Sequence, residues 1–418
     1  LGIGTRTYSK RFIVCLTIIA AAAVTLSLLA SYYTRPQVLR FDENYYYPQA
    51  ESIAAGDWKE GYIVRAPIYP LFLAGIFTLF GAGFWPALVV QSIVRGVTVG
   101  GVGLLGRRYV TERAGLIAGL LVAVYPGMIL TYARFMTEVV YIPIFLLSYY
   151  LLERVLDSGR IRDAAWAGAL SGAASLTRSI SFLFTLITAV WLLVRKFPAS
   201  KSFRGRILLA AVLTAGLFVV LSPWAIRNTI THGAPILVSN DTAFNLWLVI
   251  SGRQIKDVTP EWRTWGTQAE RQAEAYRRWS AKLREDPTFH FRRLGETLPR
   301  VFDGNWIMPA GALSMIRRGY GNRDLPTLGA FLRVFAPALF FLVSVGGIIG
   351  IAVVERDATR RNLVLIALVY FVLVHAATLF RPRFLLPVQM LLAIYAAGLI
   401  DRGLSRLGWT MPDRRRGS

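Results

Sequence analysis

The stretch FIVCLTIIAAAAVTLSLLASY, residues 12–32, and the FDENYYYPQA that follows it at residues 41–50 decide how the whole chain is read. The first is an uncharged apolar run of about the 20 residues that an α-helix needs to cross a bilayer. The second puts Asp42 and Glu43 side by side just beyond that run, in a chain whose formal charge is +23. Two carboxylates at a membrane edge in so basic a protein call for a reason.

Composition extends the membrane assignment beyond the first run. With 55% hydrophobic and 17% charged residues and a mean hydropathy of +0.47 over 418 residues, the chain is too apolar for an ordinary soluble protein. Residues 12–32 exceed a secretion-signal core and no convincing small-residue cleavage site follows, so they read as a retained first span. The single cysteine, Cys15, excludes an intramolecular disulfide. His232, His290 and His375 are scattered, without HxxH or CxxC spacing, which argues against a dedicated His/Cys metal site. There is no GxxxxGK[ST] phosphate loop and no nucleic-acid-binding motif, so the pI near 10.6 implies no nucleic-acid partner.

Much of the positive charge sets topology instead, since Lys and Arg in short loops stay in the cytoplasm. Arg6, Lys10 and Arg11 precede the first span and place the N-terminus inside. The next basic turn, GRRYVTERAG, with Arg107, Arg108 and Arg113, ends a second apolar run at 85–106. Residues 33–84 are then outside, including PIYPLFLAGIFTLFG at 67–81, which is short for a span and reads as an interfacial helix. Further spans are expected at 114–131, 139–152, 164–176, 182–194, 207–221, 328–354, 363–380 and 385–400, with ERVLDSGRIRD, RKFPASKSFRGR and ERDATRRN as basic inner loops. The expected protein is an all-α polytopic membrane protein of the cell (inner) membrane, with about ten transmembrane helices and both termini inside. It divides into a transmembrane module at 1–228, an extracytoplasmic helical segment at 229–327, and C-terminal spans with a basic tail at 328–418. The charged, aromatic-rich outer segment reads as helices lying over the membrane with one face against the spans.

This topology gathers charge on one side. Asp42, Glu43 and Glu138 (YARFMTEVVY) fall at outer ends of spans, as do Arg178 (SLTRS), Arg227 (SPWAIRN), and Arg381 and Arg383 (LFRPRFLLP); Arg95 (VVQSIVRGV) sits within the second span. A charge at the centre of a membrane helix costs about 2.5–3.5 kcal/mol, so such groups pair or line a wet cavity. Each has a plain structural reading: Asp42 capping a helix, Glu138 pairing with Arg134 at i,i+4, a lone arginine snorkelling to headgroups. As a set, carboxylates facing guanidiniums suit a reaction in which a hydroxyl loses a proton and a phosphate leaves. A transporter or lipid flippase would also carry intramembrane charge, but no inverted repeat is evident and the charges are not at mid-depth. A polysaccharide polymerase or ligase using diphosphate-linked lipid would share the outer site.

The segments FDENYYYPQAESIAAGDW, RAPIYPLFLAGIFTLFG, YPGMILTYARFMTEVVYIPIFLLSYYLL, GALSGAASLTRS, SPWAIRNTITHGAPILVSNDTAFNLWLVISG and RPRFLLPVQM occur in this order across residues 42–390. Together they resemble the GT-C superfamily of membrane glycosyltransferases, in particular the dolichyl-phosphate-mannose protein mannosyltransferase family and its bacterial relatives (glycosyltransferase family 39-like). The resemblance implies a GT-C fold and an inverting transfer of sugar from a polyprenyl-phosphate donor to an acceptor hydroxyl of a protein, lipid or glycan, on the extracytoplasmic face. It lands the catalytic acid of the first outer loop on Asp42, with Glu43 sharing the motif. Arg178, Arg227, Arg381, Arg383 and Arg95 are candidates for the donor phosphate. Glu138, with Asn240, Asp241 and Asn245 of SNDTAFNLW, are candidates for other substrate contacts. Arg65 joins them, standing in YIVRAPIYP where some relatives carry a further acid. A lipid-monophosphate donor requires no nucleotide-diphosphate site, and the first outer loop has no D-x-D pair. No essential cofactor is expected, and a divalent metal is optional.

Overall fold

The computed structural model describes residues 8–34, 42–58, 61, 63–197, 199–200, 202–301, 326–379 and 381–409. Arg6, Arg35, Arg40, Lys59, the part of the outer segment at 302–325 and the end of the basic tail lie outside the described residues. Among those described the regular structure is helical, apart from one isolated bridge between Phe197 and Ser200.

Seven helices are long and apolar enough to cross a bilayer, so the chain is a multi-pass membrane protein. They are α1 (Lys10–Thr34), α4 (Phe84–Tyr109), α7 (Glu138–Ser158), α10 (Phe203–His232), α15 (Pro326–Val354), α16 (Ala358–Ala377) and α17 (Leu386–Arg406). The run expected at 114–131 is broken into α5 (Glu112–Ala123) and α6 (Pro126–Tyr132), which meet at 58°. Pro126 is the cause: it disfavours helical geometry at Tyr125, whose ψ is 112°, and then opens α6 at a position where its missing N–H costs nothing. The runs expected at 164–176 and 182–194 form α8 (Ile161–Ser175) and α9 (Ile180–Val194), 15 residues each. At 1.5 Å per residue these fall short of a ~30 Å hydrocarbon core. The ten expected spans thus correspond to seven long helices, one bent pair and two short helices. α10 also outruns its expected end at 221, continuing through Pro223 to His232 and stopping where Gly233 turns left-handed at φ 68°.

Between α1 and α4 lie α2 (Glu43–Ala54) and α3 (Ile68–Phe80); α3 is the short apolar helix expected at 67–81. They pack through aromatic edges, Tyr46 on Tyr69 at 5.2 Å and Tyr47 on Phe77 at 4.9 Å. At the centre of the bundle α17 is buried on every side from Leu386 to Gly398, as an all-round apolar helix must be. α8 and α10 approach backbone to backbone. A Cβ on Gly168 would stand 2.1 Å from the Leu213 carbonyl oxygen, and one on Gly216 2.6 Å from that of Ala165.

The outer segment forms α11 (Asp241–Ser251), α12 (Ile255–Thr264), α13 (Gln268–Glu285) and α14 (Phe289–Val301). Phe244, Trp247, Trp262 and Trp265 hold α11 to α12, and a Thr267–Glu270 capping box starts α13. α14 is fastened to the end of α16, where Arg293 Nε donates to the Thr378 carbonyl at 2.9 Å. His290 completes the join: its Nε2 accepts from Trp279 Nε1, which leaves Nδ1 to donate to the Ala377 carbonyl, both at 2.9 Å. The opposite end of the bundle is laced by ion pairs, Arg108 and Arg360 on Asp157 and Arg113 on Asp401.

Candidate active site

A cavity of about 1550 Å³ opens where α2, α6, α9, α11, α16 and the 3₁₀ turn Pro382–Leu385 converge. Asp42, immediately before α2, lies in its wall and does not cap the helix: its side chain makes no hydrogen bond to the first turn. It faces arginines instead. Arg383 donates to Asp42 Oδ2, and Arg65 Nη1 stands 3.7 Å from Oδ1 and 3.8 Å from Asp241 Oδ1. One guanidinium therefore bridges Asp42 and Asp241. Burial pushes the Asp42 carboxyl up, but Arg383 and Arg65 outweigh it and hold the group at about 2. Asp241 goes the other way, raised by burial against the opposing pull of Arg65, with the Asp42 charge adding to the rise. Arg65 also donates to the Tyr46 hydroxyl at 3.2 Å and lies over the Tyr45 ring at 4.6 Å; burial lifts Tyr46 to about 12, keeping it protonated.

A third acid, Glu138, is buried at the start of α7 next to the wall residue Thr137. Its Oε1 accepts from Arg178 at 2.7 Å and stands 3.5 Å from Arg383 Nε. Arg178 lies over the Phe384 ring at 4.4 Å, which fixes its plane. Arg381 lines the rim without a side-chain hydrogen bond or ion pair among the described residues. Asn245 lines the cavity one helical turn after Asp241.

Other candidates are placed elsewhere. Glu43 is 1% exposed and turned into the bundle, where Arg134 grips it through two bonds of 2.8 and 2.7 Å and the Phe135 N–H adds a third. Arg134 is thus engaged by Glu43, and Glu138 pairs with Arg178 and not with Arg134 at i,i+4. Arg95 is fully buried in α4 and donates to the carbonyls of Ala23 and Ala123 and to Ser27 Oγ. It ties α1 to the end of α5 at the break before α6 and does not reach the cavity. Arg227, near the end of α10, packs over Trp58 and Trp224 outside the cavity wall. Asn240 is a clamp: Oδ1 accepts from Val64 N–H at 2.8 Å, its own N–H donates to the Val64 carbonyl at 3.1 Å, and Nδ2 donates to Gln268 Oε1 at 2.8 Å.

The wall also includes Tyr46, His375 and Tyr276, none of which was a site candidate in the sequence. Tyr46 had a signal, being four residues past Asp42 on one helix face, and His375 had another as an ionisable group inside an apolar run. Tyr276 had none. Among the described residues no group of three or more His, Cys, Asp or Glu side chains converges on a common point. Arg65 places positive charge between Asp42 and Asp241, where a bridging cation would have to sit. These residues do not fit a metal.

Residues 64–226 match the family of dolichyl-phosphate-mannose-protein mannosyltransferases. Solved structures match over nearly the whole chain at low identity. The Archaeoglobus fulgidus oligosaccharyltransferase in complex with zinc and sulfate aligns with TM-score 0.57 and 16% identity, over 94% of this chain and 50% of that one. AglB of the same organism, in complex with an inhibitory peptide and a dolichol phosphate, gives 0.55 and 16% over 98% and 53%. ArnT from Cupriavidus metallidurans, bound to undecaprenyl phosphate, gives 0.51 and 17% over 94% and 61%. The chain spans between half and about three-fifths of the length of these structures. No curated protein matches it. By fold the chain is an all-α polytopic membrane protein of the same architecture as these structures, and over residues 64–226 it resembles the dolichyl-phosphate-mannose-protein mannosyltransferases.

Proposed function

We propose that the protein is an inverting glycosyltransferase that moves a sugar from a polyprenyl-phosphate donor to an acceptor hydroxyl, in a cavity facing the periplasm or cell exterior. The observation that carries this reading is Asp42 and Arg383 in contact within one cavity, with Arg178 and Arg381, the latter without an ion pair among the described residues, also lining it. A cavity of about 1550 Å³ exceeds the ~300–1,000 Å³ of a usual small-molecule pocket, which suits two substrates at once. Its apolar flank, with Leu130, Ile180, Leu183 and Tyr370, suits the first units of an isoprenoid chain. The family match and the neighbours described with dolichol phosphate and undecaprenyl phosphate support the donor class.

In the proposed reaction the acceptor O–H gives its proton to Asp42 as its oxygen bonds to the anomeric carbon from the face opposite the phosphate. The bond from that carbon to the phosphate oxygen breaks, its electron pair stays on the lipid phosphate, and the configuration inverts. Arg381 and Arg383 answer the charge gained by the leaving phosphate, while Glu138 holds Arg178 and Arg383 in place. An Asp42 held at about 2 by Arg383 is a weak base. Drawing Arg383 toward the donor phosphate would raise it, so that donor binding readies the base for the acceptor. The test is incubation of purified protein with radiolabelled polyprenyl-monophosphate sugars and candidate acceptors. Transfer that inverts the anomeric carbon is expected; label that stays on the lipid carrier would overturn the reading.

A further inference from the structure

We infer that the end of the bundle opposite Asp42 carries a second binding site, a pocket for the phosphate headgroup of an anionic membrane lipid. The pocket holds about 400 Å³ and is lined by Arg108, Tyr150, Arg154, Asp157, Ser158 and Arg160. It sits where α4 and α7 end, separated from Glu138 by the 21 residues of α7, a rise of about 30 Å. The proposed transfer uses none of these groups.

The charge balance favours an anion. Arg108 lies 5.1 Å from the Tyr150 ring centroid and donates to Asp157 at 2.9 Å. Asp157 is also taken by Arg360 at 2.6 Å, so its charge is already answered. Arg154 stands 3.4 Å and Arg162 3.9 Å from Asp163. Arg160 is exposed and has no side-chain partner among the described residues. Arg108, Arg154, Arg160, Arg162 and Arg360 thus outnumber the acids near them, Asp157, Asp163 and the buried Glu153 and Glu355 that act on Arg360, and a phosphodiester would neutralise the excess through charge-assisted bonds.

The surroundings favour a lipid over a free phosphate. One turn deeper on the same helix faces, Leu104 below Arg108 and Leu147 below Tyr150 are 38% and 48% exposed. An acyl chain leaving a headgroup in the pocket would run over them. A basic pocket between transmembrane helices at the headgroup level is the usual setting for anionic-lipid recognition.

The test uses the full chain in a mild non-ionic detergent, titrated with phosphatidylglycerol, phosphatidylethanolamine and inorganic phosphate, and read by native mass spectrometry and thermal shift. Phosphatidylglycerol should bind about tenfold more tightly than either other probe, and Arg154→Gln with Arg160→Gln should weaken it about fivefold per arginine. Arg383→Gln, in the other cavity, should leave that adduct in place. Equal retention of the two lipids, phosphate binding as tight as phosphatidylglycerol, unchanged binding by the double variant, or loss of the adduct in Arg383→Gln would each overturn the site. If the double variant does not fold, Arg160→Glu, which alters only an exposed side chain, carries the same comparison.

Discussion

Arg383 donates to Asp42 across 341 residues of sequence, and its Nε stands 3.5 Å from Glu138, so one arginine joins Asp42 of the cavity wall to the buried Glu138. Asp42→Asn keeps the size of the side chain and removes its capacity to take a proton. Sugar transfer should fall by about a hundred- to ten-thousandfold, while the variant keeps its melting temperature within a few degrees and still retains labelled donor. Transfer at the normal rate in a folded Asp42→Asn protein would remove Asp42 from the reaction.

The pH dependence follows from the same contact. Asp42 lies below its ordinary 3.8, at about 2, so the stability from its ion pairs is complete above pH 3.8 and is lost as the pH falls through about 2. In kinetics, the acid limb of kcat/KM reports the free enzyme and that of kcat the donor complex. If donor phosphate draws Arg383 away, the limb for kcat should lie at higher pH than that for kcat/KM. Arg383→Gln, which removes the largest attraction on Asp42, should shift the kcat/KM limb upward on its own. Coincident limbs in the unmodified protein would show that the Asp42–Arg383 contact persists through turnover.

Asp42 and Glu43 are neighbours in sequence with opposite fates, and that contrast marks what the sequence could and could not tell. The apolar runs, the interfacial helix at α3 and the gathering of charge at one end follow from local composition, which hydropathy reads directly. The pairing of charges does not. Arg134 has an acid at i+4, yet its bidentate partner is Glu43, 91 residues away. Arg178 finds Glu138 from 40 residues away. Such partners are chosen by which helices pack together, and α17, which brings Arg383 to Asp42, comes last in the chain. Arg95 illustrates the same limit: an arginine inside a span reads as a functional charge, whereas here it satisfies the Ala123 carbonyl at a helix break and ties it to the Ala23 carbonyl and Ser27 of α1. The break at 125–127 was not read from the sequence, where 114–131 stood as one span, although the proline of YPG is the residue that both ends one helix and begins the next.

Glu43→Gln tests the structural side of that contrast. It leaves Arg134 buried against a neutral partner, and breaking a buried pair in this way costs about 3–5 kcal/mol. The variant should melt well below Asp42→Asn in the same detergent. Adding Arg134→Gln should recover part of the loss, because the buried guanidinium that faced Glu43 is then removed as well.

Arg95→Leu should lower the melting temperature by removing the donors to Ala23, Ser27 and Ala123. Orphaning a buried acceptor costs about 1–3 kcal/mol. Limited proteolysis should then cut first near Val124 and Tyr125, where α5 meets α6. The donor KM of the folded fraction should stay as it was, because Arg95 does not line the cavity; a rise in that KM without lost stability would return Arg95 to the donor site.

Asn240 joins the outer segment to the loop bearing Arg65 through Val64, and the next residues along the two segments of chain so joined are the cavity groups Asp241 and Arg65. Asn240→Ala leaves the buried Val64 N–H without an acceptor, at about 1–3 kcal/mol. It should also loosen the register of Arg65 against Asp42 and Asp241, so that KM rises while the chemical groups remain intact. Asn240→Asp separates the two halves of the clamp. Its carboxylate still accepts from Val64 N–H, but it faces Gln268 Oε1 with no proton to offer. Gln268 can turn its amide to meet it only by giving up the 3.0 Å bond from Nε2 to the Gly61 carbonyl. Asn240→Asp should therefore keep more stability than Asn240→Ala and yet show a comparable rise in KM. Measured side by side, equal KM values for Asn240→Asp and the unmodified protein would mean that the Val64 bond alone sets the register of the cavity.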